Sequence, residues 1–217
     1  MKMISMRHNY RRNSIIDKKE FVEALRTNRA LVLFSFVLIA GMIFGAVFAR
    51  HADLAALDRL DFLFYSNFKA RAVQTFTSVF AASFASSFIF IFICFLCGLS
   101  MWGMFLIPAV LLFRGFGLGL TSGYLYAAYG LKGILFNFAV ILPGAFVCCL
   151  ALLLAAREGS LFSRRIASCA TSSEKGTISE QKMKIYLLRF GAILALAFFA
   201  ALIDVLFSTC FAGMFSF

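Results

Sequence analysis

The sequence predicts an all-α protein, a polytopic membrane helix bundle of about five transmembrane helices with its N-terminus in the cytoplasm. Three observations carry this. Of 217 residues, 62% are apolar and 14% charged, with a mean hydropathy of +0.92, a balance unlike that of an ordinary soluble domain. The apolar residues gather in uncharged runs long enough for a hydrocarbon core about 30 Å thick. Most of the basic residues gather in two segments beside those runs, the pattern of membrane topology.

The elements follow in chain order. Residues 1–29 form a basic cytoplasmic segment with eight Lys or Arg against three acidic residues. Span one, about 30–49, is free of charge. It is longer than a signal-peptide core of roughly 7–15 residues, so it is expected to be retained. Residues 50–77 are mixed, with four basic and three acidic residues. Leu57, Leu60, Phe64 and Phe68 recur there at helical spacing, which predicts an extracytoplasmic surface helix and a candidate docking face.

Span two is predicted at about 78–99, rich in Ala and Ser that let helices approach closely. Span three, about 101–128, crosses only if Arg114 lies near its middle, with Trp102 at one interface and Tyr124, Tyr126 and Tyr129 at the other. Gly130 turns the chain into span four, about 131–156. A polar connector is expected over 157–184, and span five over about 185–210.

Charge fixes the expected topology. The N-terminal segment and the connector with Arg189 hold 15 of the 21 basic residues, so both are expected in the cytoplasm. An even number of spans must separate them, and four do. The segment 50–77 and the C-terminus then face outward. The net charge of +11 is thus spent on topology, and nucleic acid is not an expected partner; the bilayer is.

Few residues suit chemistry. The two histidines, His8 and His51, lie in flanking polar regions, and neither HExxH nor GxSxG occurs. The expectation is no catalysis, no metal and no cofactor. Cys94 and Cys97 have redox-motif spacing but sit in an apolar run, where small apolar packing is the plainer role. Arg114 is the most informative residue, because a charge at the bilayer centre costs about 2.5–3.5 kcal/mol on insertion scales. Asp204, the one acidic residue inside a predicted span, is its candidate partner. Gly41 and Gly45 on span one, and Gly115, Gly119 and Gly123 on span three, recur every fourth residue and predict close helix packing.

The central block resembles the stage II sporulation protein M family. Its residues are Gly98-x-Ser100-x-x-Gly103, Pro108, Arg114-Gly115 with Gly119 and Gly123, Gly130-x-Lys132-Gly133 and Pro143. The resemblance implies a non-enzymatic scaffold in the cell membrane that anchors extracytoplasmic peptidoglycan-degrading partners, sporulation proteins D and P, during forespore engulfment. The alternative from the residues themselves is a permease subunit or small transporter, built on Arg114, Asp204 and the glycine-rich third span.

Overall fold

The computed structural model describes residues 29–51, 76–171 and 180–211. All but four of these, Leu99–Trp102, are helical. The helices are α1 (Arg29–His51), α2 (Phe76–Gly98), α3 (Gly103–Phe136), α4 (Leu142–Thr171) and α5 (Glu180–Phe211), with a wider π-helical turn at Asn137–Ile141 before α4. The expected docking residues Leu57, Leu60, Phe64 and Phe68 lie outside the described residues, as do residues 1–28.

Two compact units divide the chain, Met1–Leu33 and Phe34–Phe217. Of the first, only the opening turn of α1 is described, and the bundle below belongs to the second. Five stretches are long and apolar enough to cross a membrane: Arg29–His51, Phe80–Gly98, Gly103–Ala127, Gly130–Cys169 and Glu180–Cys210. At 1.5 Å per residue even the 19-residue stretch nearly matches the hydrocarbon core, so this is a multi-pass membrane protein.

Gly130 separates the third and fourth of these. Its φ of +57° and ψ of −133° break the helical path, a conformation that glycine adopts at little cost. The π turn also has a local cause. Pro143 has no N–H for the carbonyl of Ala139, and its ring crowds that oxygen. The helix widens by one residue just before it, and the Leu142 N–H bonds the Asn137 carbonyl.

Two seams hold the bundle. On the first, α1 and α3 meet backbone to backbone. A Cβ on Gly41 would run into the Leu112 carbonyl, on Gly45 into that of Phe116, on Gly115 into that of Leu38, and on Gly119 into that of Met42. Phe44 and Phe48 flank this seam, with ring centroids 5.9 and 5.8 Å from Phe116.

The second seam joins α2, α4 and α5, which pack on one another. Where α2 turns into α3, Tyr186 stacks on Phe162 at 4.2 Å and donates its hydroxyl to the Phe95 carbonyl at 3.0 Å. Ser163 Oγ donates to the Ser100 carbonyl at 2.7 Å, fixing the turn itself. Large apolar side chains elsewhere face outward, among them Phe105 and Leu188, as a lipid-facing surface requires.

Helix α4 differs from the sequence reading. It does not end near Ala156 but continues to Thr171, so the first half of the expected connector is helical. The reason is a buried stripe of mostly small residues, Ala155, Ala156, Gly159, Ser160, Phe162 and Ser163. Gly159 lies against the Cys94 carbonyl and the Gly98 Cα. Glycine and serine give that stripe no hydropathy signal.

Candidate intramembrane site

Four helices bring stripes of three- and four-residue spacing to one cavity of about 230 Å³. Helix α2 supplies Ser83, Ser86 and Ser87, and α3 supplies Arg114, Leu118 and Thr121. Ile141 of the π turn, with Gly144, Ala145 and Cys148 of α4, forms another wall, and Ala200 and Asp204 of α5 complete it. The spacing sets each stripe on one helix face, so each helix turns one polar or small-residue edge inward.

Arg114 stands 11 residues into a 25-residue crossing, close to its middle. Its Nη1 donates to Ser86 Oγ at 3.1 Å and its Nη2 to Cys148 Sγ at 3.7 Å. Its Cζ lies 5.0 Å from the centre of the Phe90 ring, a cation–π contact. Its Nε is buried and has no hydrogen-bond partner. The guanidinium is therefore held by a hydroxyl, a thiol and a ring face.

Asp204 is 5% exposed on the wall of the same cavity. Its backbone comes so close to α4 that a Cβ on Gly144 would stand 2.5 Å from the Asp204 Cβ. Gly144 thus allows α5 to bring the carboxylate into the interior. Ser87 ties α2 to α4, with its Oγ 3.0 Å from Cys148 Sγ and donating to the Ser83 carbonyl at 3.0 Å.

The remaining sequence candidates fall elsewhere. Gly123 abuts the Ala49 Cβ at the α1–α3 seam. Gly98, Ser100 and Gly103 belong to the α2–α3 turn, where a Cβ on Gly103 would meet the Cys97 carbonyl and Ser163 Oγ. Pro108 is half-buried in α3, Lys132 is exposed just past the Gly130 break, and Gly133 is buried. Asn137 donates to Ser122 Oγ at 2.9 Å, linking the π turn to α3 beside a second, mostly apolar cavity of about 320 Å³. Sequence reasoning treated the α2 serines as packing residues and missed Cys148 and Gly144. The available signal was the serine spacing 83, 86 and 87, which follows one helical face.

The arrangement can hold a polar or charged group inside the bundle. Among the described residues no group of three or more His, Cys, Asp or Glu side chains is placed to hold a metal ion. The chain matches the family Stage II sporulation protein M over residues 31–209, a range that takes in nearly all of the five crossings. No curated protein and no solved structure matches it.

Proposed function

The chain belongs to the stage II sporulation protein M family, and on that premise we propose that it is a non-enzymatic scaffold of the cell membrane. Its partners are extracytoplasmic peptidoglycan-degrading enzymes, sporulation proteins D and P by family resemblance, and its setting is engulfment of the forespore. The observation that carries this reading is the extent of the match, which is to the membrane bundle as a whole. The orientation follows from charge: the N-terminal segment and the exposed Arg164, Arg165, Lys182 and Lys184 face the cytoplasm. Residues 50–77 then face outward as the docking segment.

A pull-down from solubilised membranes tests this. Deleting residues 57–72 abolishes recovery of the hydrolases while the protein remains inserted. Unchanged recovery from an inserted deletion variant refutes the docking role. The cavity with Arg114 and Asp204 on its walls favours a second reading, a permease subunit or small transporter. Solute flux in reconstituted vesicles that is lost in Arg114→Leu selects that reading over the scaffold.

A further inference from the structure

We infer that the end of the bundle carrying the α2–α3 turn binds the phosphate of an anionic phospholipid headgroup, on cations that α4 and α5 bring together there. The inference goes beyond the scaffold reading and does not depend on it.

Packing sets the cations side by side. Helices α4 and α5 run antiparallel, with Phe162 stacked on Tyr186 and Arg189 bonded to Glu158 at 2.6 Å. Arg165 lies three residues past Phe162 and Lys182 four before Tyr186, so each sits about one turn beyond the stacked rings, on the side that faces the other helix. Arg164 and Lys184 reach the same level, and all four residues are exposed. Over 157–171 and 180–189 six basic residues stand against Glu158 and Glu180, and Glu158 is already paired with Arg189. Like charges at one level repel, and a phosphate between them replaces that repulsion with charge-assisted hydrogen bonds.

The level of the cluster identifies the anion. Ser163 donates to the Ser100 carbonyl, so Arg164 and Arg165 follow directly on the residue that holds the α2–α3 turn. The apolar crossing of α3 begins just beyond that turn, at Gly103, and the exposed Trp102 is an interface anchor. The cations therefore sit at the boundary of the hydrocarbon core, where lipid phosphates lie. At that depth each Lys or Arg strengthens attraction to anionic lipid by about fivefold.

The full-length chain in a neutral detergent is titrated with phosphatidylglycerol, phosphatidylcholine, glycerophosphate and a short RNA, while the thermal unfolding midpoint is followed. Phosphatidylglycerol raises the midpoint saturably, and the other three do not. Arg165→Gln with Lys182→Gln weakens apparent affinity for phosphatidylglycerol by about tenfold or more. Lys132→Gln, an exposed cation at the opposite end of α3, leaves that affinity unchanged. If the double variant does not fold, Lys182→Gln alone serves, with a loss of about fivefold. An equal shift from phosphatidylcholine assigns the effect to acyl chains, one from glycerophosphate to free phosphate, and one from RNA to a soluble polyanion; each overturns the proposal. A loss at Lys132→Gln equal to that of the double variant overturns the location, and no saturable shift from phosphatidylglycerol overturns the site itself. Hydrolase recovery in the pull-down is indifferent to all these outcomes, so the two proposals fail separately.

Discussion

The two faces of α3 are built from opposite materials. On one, Gly115, Gly119 and Gly123 press against the α1 backbone with no room for a methyl group. On the other, Arg114, Leu118 and Thr121 line a cavity. Lipid tails are as apolar as leucine, so hydrophobicity gives membrane helices little reason to associate, and close backbone packing takes its place. The glycine face supplies that packing. The arginine face gives up packing for polar contacts, so it contributes less to stability and more to what the bundle can hold.

Substitutions on the two faces measure this difference. Gly119→Val is expected to be the most disruptive, because its side chain would drive into the Met42 backbone, which cannot swing aside. A loss of about 3 kcal/mol, the upper end for overpacking, is expected in denaturant or thermal unfolding of the purified protein. At the α2–α3 turn, Ser163→Ala leaves the Ser100 carbonyl without its 2.7 Å donor and is expected to cost about 1–2 kcal/mol in the same assay. Tyr186→Phe keeps the stack on Phe162 and loses only the bond to Phe95, for about 1 kcal/mol. Ser86→Ala, on the cavity face, is expected to cost least, about 0.6 kcal/mol, since interhelical side-chain bonds in membranes are individually weak. A loss at Ser86 equal to that at Gly119 would erase the distinction between the faces.

Much of the fold was legible in the sequence for a simple reason. A crossing helix must be apolar along its length, and no partner is needed to reveal it, so the five runs stand out. Span three was legible despite Arg114, because the basic segments on either side require an even number of crossings. The glycine repeats on α1 and α3 could be read as two stripes, but their mutual contact is a fact of tertiary structure. The extension of α4 was hidden because Gly159, Ser160 and Ser163 bury without a hydropathy signal. Only part of the site was legible. Charge singled out Arg114 and Asp204, whereas Ser86 and Cys148 became visible as partners of the guanidinium only once three helices were brought together.

The central claim is that the helix bearing Arg114 crosses the membrane. Ser66→Cys and Ser173→Cys, made singly in a chain lacking its native cysteines, test it by labelling with a membrane-impermeant maleimide in intact and permeabilised cells. Five crossings predict that Ser66→Cys is labelled in intact cells and Ser173→Cys only after permeabilisation. Labelling of both from the same side would contradict the account.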